Sequence, residues 1–397
     1  MAVFRIKMMN AISPEGLGLL ADNFQISAGE QAPQGILVRS ARVDVDDYPS
    51  LLAVARAGSG INTITVDKAT EKGICVFNTP GANANAVVDL VFPMIGVWMR
   101  HIFQGIEFCR SLVDYDPDQL SAEVERRKSA FRGVEIAGKT LGVVGLGQIG
   151  VRLANGGVHR QMKVKGFDPM PGLDNIHQLL PEVDIARTLK GAVGDADIVS
   201  LHLPLTPGTK HLVNADFLRK MKKGAILVNY ARGPIVDEQA VIETLNSDYL
   251  AGYITDFPTA ATIGHPKVLT TPHLGASTSE SEENCARMAV RELSAYLDYG
   301  NVANSVNFPN IESTPSAKVH SRLIVINRDV PGMIAFATNV ISGYGINIAS
   351  YLNESNGRIG YNIIDVESDI PAGLLQDIEK DGNVIRTRLI RLVEERG

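Results

Sequence analysis

Short apolar runs recur along the middle of the chain, each separated from the next by a longer amphipathic stretch. The runs that read as strands are "TLGVVG" (140–145), "KVKGFD" (163–168), "DIVSLHLP" (197–204), "AILVNYA" (225–231), "GYITDF" (252–257) and "VLTTPH" (268–273). They are apolar at nearly every position rather than at alternate ones, the pattern of strands buried on both faces. Most are spaced widely enough for a crossover helix, so the pattern predicts a doubly wound parallel sheet of α/β class. A shorter version of the rhythm, "GILVRS" (35–40), "LLAVARAG" (51–58) and "ICVFNTPG" (74–81), predicts a second, smaller α/β unit.

Two helices stand out. "AVVDLVFPMIGVWM" (86–99) carries Asp89 and Pro93 and is too short to span a bilayer, so it reads as a buried helix. From Ser277 the pattern turns helical: Cys285, Met288, Ala289, Leu293 and Leu297 fall on one face, and Ser277 with Glu280 has capping-box spacing. Residues 307–318, "NFPNIESTPSAK", read as a linker. Beyond it the order is strand (320–327), helix (331–345), strand (346–352), strand (358–367), helix (371–382), strand (383–393), a ferredoxin-like βαββαβ arrangement.

Composition narrows the classes. Of 397 residues, 45% are hydrophobic and 21% charged, ordinary for a globular chain long enough for two or three domains. The net charge of −6 argues against nucleic acid or an anionic membrane as partner. Cys75, Cys109 and Cys285 are scattered, so no disulfide framework or metal site is expected, and a reducing cytoplasm is the expected location. "MAVFRIKMMNAI" lacks the apolar core of a signal peptide.

The candidate chemistry starts at "GLGQIG", Gly145 to Gly150, between a strand and a helix. Gly145 permits the tight turn, Gly147 lets the backbone approach a pyrophosphate, and Gly150 lets the helix pack on the strand. The amides around Gln148 and Ile149 then face the anion. Asp168, ending the next strand, is placed for the adenine ribose hydroxyls and would repel a 2′-phosphate, which favours NAD over NADP. Arg232, in "NYARGPIVDEQAV", ends a strand of the same sheet, where its planar fork suits a substrate carboxylate. A structural pair with Asp237 is the competing reading. His273, in "TPHLGAST", ends another strand and is a candidate proton-transfer group.

These segments, with "SLHLPLTPGTKHLVN", closely resemble the D-2-hydroxyacid dehydrogenase family, in order across residues 35–310. The resemblance implies two Rossmann-like domains: a discontinuous substrate-binding domain (1–92 and 277–306) and an NAD-binding domain (93–276). It implies a substrate-binding role for Arg232 and a general acid/base role for His273. It adds His202, Pro204, Thr209, Tyr230, Ala231, Asp256, Gly275 and Ala276 to the NAD-binding set, which also includes Arg232 and His273 themselves. It places Arg39, Ser40, Arg56, Ser59, Gly60 and Asn83 on the substrate, with surface ion pairing the competing reading for the two arginines. The family's Glu partner of the histidine is missing: its position falls near Ala260, and no Glu lies between Glu243 and Glu280. Asp256 serving the nicotinamide, Asp256 serving His273, and an acid from elsewhere, Asp89 or Glu282, are the three readings.

The tail (319–397) resembles an ACT regulatory domain, with Asn327, Asp329 and Asn347 at the positions expected for an amino-acid effector such as serine. The whole implies a cytoplasmic homo-oligomer, dimer or tetramer, that acts on a small phosphorylated 2-hydroxy acid in serine biosynthesis. A glycerate or hydroxypyruvate reductase is the alternative, and a non-catalytic NAD- or amino-acid-sensing regulator a further one.

Overall fold

In the computed structural model, which describes residues 3–392, three sheets account for the strands. The N-terminal one holds β1 (Phe4–Met8), β2 (Phe24–Ser27), β3 (Gly35–Val38), β4 (Ala53–Arg56) and β5 (Cys75–Phe77), all parallel, in the order β2-β1-β3-β4-β5. The middle sheet holds β6 (Thr140–Val144), β7 (Lys163–Phe167), β8 (Asp184–Ile185), β9 (Ile198–Leu201), β10 (Ile226–Asn229), β11 (Gly252–Thr255) and β12 (Val268–Thr270). It is also wholly parallel, in the order β8-β7-β6-β9-β10-β11-β12. Both orders reverse once, between β1 and β3 and between β6 and β9. Crevices outside the carboxyl ends of strands at such reversals are where open α/β sheets bind ligands. The third sheet holds β13 (Ser321–Arg328), β14 (Ile348–Ser355), β15 (Ile359–Val366) and β16 (Val384–Arg391), antiparallel in the order β14-β15-β13-β16, with helices Met333–Gly343 and Ala372–Glu379 between strands. The last expected strand reached Val393, which lies outside the described residues.

Two compact units result, 84–278 and 1–83 with 279–397. The first division falls before helix Ala84–Met99 rather than inside it at 92/93. Val91, Phe92 and Ile95 of that helix are buried with Leu153 and Ala154 of helix Gln148–His159, and Phe92 lies against Gly156, so the helix cannot be split. The segment expected as a linker is partly core: Phe308 and Ile311 are buried, and the Asn307 side chain donates to the Ile74 carbonyl at 2.9 Å and accepts from the Val76 amide at 2.9 Å. The third sheet shares one core with the first, with Ile324, Ile326, Tyr361 and Ile390 packed among Phe77, Tyr296 and Leu297.

The long helix begins at Ser279, which puts Thr278 rather than Ser277 at its N-cap position. Its buried face includes Cys285, Ala289, Leu293 and Leu297. Among the described residues no single helix is long and apolar enough to cross a membrane.

Candidate active site

The turn after β6 is built by close approach. Gly145 has φ +96°, and a Cβ there would stand 2.3 Å from the His202 carbonyl oxygen. A Cβ on Gly150 would stand 1.9 Å from the Gly145 carbonyl. Gly147 differs: a Cβ there meets nothing within 4 Å, so the space in front of the first amides of helix Gln148–His159 is clear. The Asp168 carboxylate, just beyond β7, accepts from the Leu146 amide at 2.8 Å and the Met170 amide at 2.9 Å. Each oxygen keeps acceptor capacity for a further hydroxyl.

Across the strand reversal, His202 follows β9. Its amide donates to Val144 O at 2.7 Å, and its Nε2 pairs with the Ser200 hydroxyl at 2.8 Å. Burial holds this imidazole down at about 3, so it is neutral near pH 7. In the next loop the Thr209 hydroxyl donates to Pro204 O at 2.6 Å, closing residues 204–209 on themselves.

After β10 the buried Asn229 shapes the chain. Its Oδ1 accepts from the Ala231 amide at 3.1 Å and its Nδ2 donates to Arg232 O at 3.1 Å. The Arg232 Nη1 in turn donates to Ala231 O at 2.7 Å. Asp237 does not pair with this arginine; it caps helix Glu238–Asn246 by accepting from the Ala240 amide. Tyr230 is buried, which pushes its phenol up, as does the charge of Asp256.

His273 lies just past β12 and is exposed. Its ring rests against Phe257, centroids 4.9 Å apart at 54°. Asp256, just past β11, is buried; its Oδ2 accepts from the Gly275 amide at 2.9 Å. Neither outside acid takes a place here. Glu282 is ion-paired with Arg39, and Asp89 is exposed on helix Ala84–Met99.

In the other unit, Arg39 and Arg56 stand at the carboxyl ends of adjacent strands β3 and β4, and the Arg56 Nε donates to Arg39 O at 2.8 Å. One carboxamide oxygen, Asn10 Oδ1, accepts from the amides of Arg39, Ser40 and Ala41 at 3.1, 3.0 and 2.9 Å. This is the crevice at the β1/β3 reversal. Ser59 and Gly60 follow β4, with Ser59 O accepting from Asn78 Nδ2 at 2.8 Å; Asn83 is buried. Asn10 and Asn229 escaped the sequence reading, and their only signal was a polar residue closing or following an apolar strand.

The three tail residues do not come together within one chain. Asn327 is buried, its Oδ1 accepting from Asn362 Nδ2 at 2.8 Å and its Nδ2 donating to Arg328 O at 2.7 Å, so its side chain is used up beneath the sheet. Asp329 accepts from Ser355, the last residue of β14, at 2.5 Å, whereas Asn347 precedes the first residue of that strand. An eight-residue strand is about 26 Å long, so Asp329 and Asn347 lie at opposite ends of the sheet.

Residues 102–275 match the family described as D-isomer specific 2-hydroxyacid dehydrogenase, NAD binding domain. A D-3-phosphoglycerate dehydrogenase of Haemophilus influenzae is 32% identical over 362 residues, covering 87% of this chain and 83% of the relative. One of Bacillus subtilis is 34% identical over 337 residues, of which this chain spans 61% of the length. The NAD+-bound 3-phosphoglycerate dehydrogenase of Entamoeba histolytica shares the fold, with a TM-score of 0.62, 24% identity, and coverage of 77% of this chain and 99% of that one.

Proposed function

The chain belongs to the D-2-hydroxyacid dehydrogenase family, and from that premise we propose that it oxidises D-3-phosphoglycerate to 3-phosphohydroxypyruvate, the opening step of serine biosynthesis, in the cytoplasm. The observation that carries this reading is one sheet that presents Arg232 and His273 at strand ends and the glycine turn at its strand reversal. NAD supplies the hydride acceptor. The clear space at Gly147, the amides of Gln148 and Ile149, and the spare acceptor capacity of Asp168 fit its pyrophosphate and adenosine ribose. Arg232, fixed by Asn229 through the backbone, holds the substrate carboxylate. His273 takes the C2 hydroxyl proton as hydride leaves C2, and in the reverse direction its protonated ring returns that proton. We assign the substrate to the unit holding 1–83, with Arg39 and Arg56 for the phosphate, and the nucleotide to residues 84–278.

The tail's βαββαβ order and antiparallel sheet support a ferredoxin-like ACT domain. Serine remains the proposed effector, on Asp329 and Asn347 without Asn327. Because those two lie at opposite ends of one sheet, a single serine touching both needs two copies of the chain, so effector and homo-oligomer are one proposal.

The test is the initial rate of NADH oxidation with 3-phosphohydroxypyruvate, hydroxypyruvate, glyoxylate and 2-oxoglutarate side by side. A strong preference for the phosphorylated acid is expected; equal rates with hydroxypyruvate would move the enzyme to an unphosphorylated substrate. Titrating serine into the same assay tests the tail, with inhibition below millimolar serine expected.

A further inference from the structure

The proposed reaction leaves one buried charge unused. Asp256 is 1% exposed, with Oδ2 on the Gly275 amide and Oδ1 buried without a hydrogen-bond partner. Four titratable groups face it: His273, Arg232, Tyr230 and Tyr253. Burial pushes both phenols up, so they stay neutral near pH 7, which leaves His273 and Arg232 as the cations. Burial pushes the Asp256 carboxyl up as well, and the Gly275 amide, His273 and Arg232 pull it back. A carboxylate taken out of water with one oxygen unpaired is costly unless nearby charge compensates it.

His273 needs what Asp256 offers. Among the described residues its ring makes no hydrogen bond or ion pair; the contact on it is the Phe257 face. Gly275, whose amide Asp256 holds, lies two residues beyond His273 in the same loop.

We propose that Asp256 is a positioning residue for proton transfer: its bond to Gly275 fixes the loop that carries His273, and its charge favours the imidazolium while holding Arg232 in place. This rests on His273 being the proton carrier, and it departs from the expectation that Asp256 meets the nicotinamide. The charge comes from the end of β11 itself, one residue before Phe257, so a single strand end supplies both the ring that His273 lies on and the charge that it faces.

The test is Asp256→Asn, which keeps an acceptor for the Gly275 amide and removes the charge. NMR titration of the His273 imidazole, assigned with His273→Gln, is the first readout, because it does not depend on activity. The midpoint is expected at lower pH in the variant than in the wild type. In the reductive assay the basic limb moves the same way, and at a pH on that limb kcat falls roughly tenfold, while KM for NADH stays within about twofold. A raised KM for NADH with an unmoved titration overturns the proposal and gives Asp256 to the nicotinamide. No change in either makes it a spectator. If the Asn variant does not fold, Asp256→Ser carries the same test, with the same midpoint shift and a larger loss of rate because it no longer reaches Gly275. Wild-type inactivity towards every oxo acid would overturn the proposed function and leave the titration to decide this inference.

Discussion

Asp256 and Glu292 are two buried carboxylates built almost alike. Each has one oxygen on a single neutral N–H donor, Gly275 N at 2.9 Å for Asp256 and Asn304 Nδ2 at 2.9 Å for Glu292, and each has the other oxygen buried without a partner. Their surroundings differ. Glu292 sits on the inward face of helix Ser279–Tyr299 beside Leu293 and Ala289, no cation offsets its burial, and the carboxyl is pushed up to about 8. Asp256 faces an imidazole and a guanidinium that both pull it back towards the ionised form. Burial alone makes a carboxyl keep its proton; cations beside it mark a charge that is maintained. The first is expected of a structural group, the second of a working one.

The largest effect that would sharpen this contrast comes from the cations. His273→Gln is expected to leave the fold intact, since the ring is exposed, and to lower kcat roughly 10²–10⁴-fold. Steady-state rates with thermal unfolding as control check it, and retained activity would strip Asp256 of its working role.

A third carboxylate, Asp365, gives the next effect, as the fully paired case. Its oxygens accept from Arg322 Nε at 2.7 Å and Nη2 at 2.9 Å. The same guanidinium also donates to Tyr299 O, Ser313 O and Ser313 Oγ, so all five of its N–H groups are used. Asp365→Ala strands a buried guanidinium and is expected to cost about 3–5 kcal/mol by chemical denaturation, with no change in the active-site pH profile. A cost below about 1 kcal/mol would show that water reaches Arg322 and that burial is a poor guide to these groups.

What the sequence disclosed follows the range of each interaction. The glycine turn was legible because its constraints act within six residues, and the strand ends carrying Arg232 and His273 because apolar runs mark them. Asp256 was read as three alternatives because its partner amide lies 19 residues on, and nothing local announces a bond from a strand end to a neighbouring loop. Asn327 was misread as a ligand residue because β13 is buried at every position from Ser321 to Asn327, so alternation could not tell which face it takes. Glu292 drew no notice because a lone Glu on an amphipathic helix normally points to water. Only the packing of residues 301–311 against that helix encloses it, with Asn304 as its donor.

The smallest effect tests Glu292 itself. A carboxyl whose pKa is about 8 in the folded chain and about 4.5 when unfolded binds a proton on folding between those values. Its contribution to stability is therefore complete below about pH 4.5, declines as pH rises, and is lost above about pH 8. Glu292→Gln keeps an acceptor for Asn304 and cannot ionise, so it should remove this slope. The variant is expected to match the wild type near pH 4.5 and to exceed it by roughly 1–3 kcal/mol at pH 9, below the full linkage value because water can enter around a charged Glu292. Denaturant titrations at pH 5, 7 and 9 read the difference. Parallel curves would mean that Glu292 keeps its charge inside the fold without a cation, and the contrast with Asp256 would then rest on neighbours that do not matter.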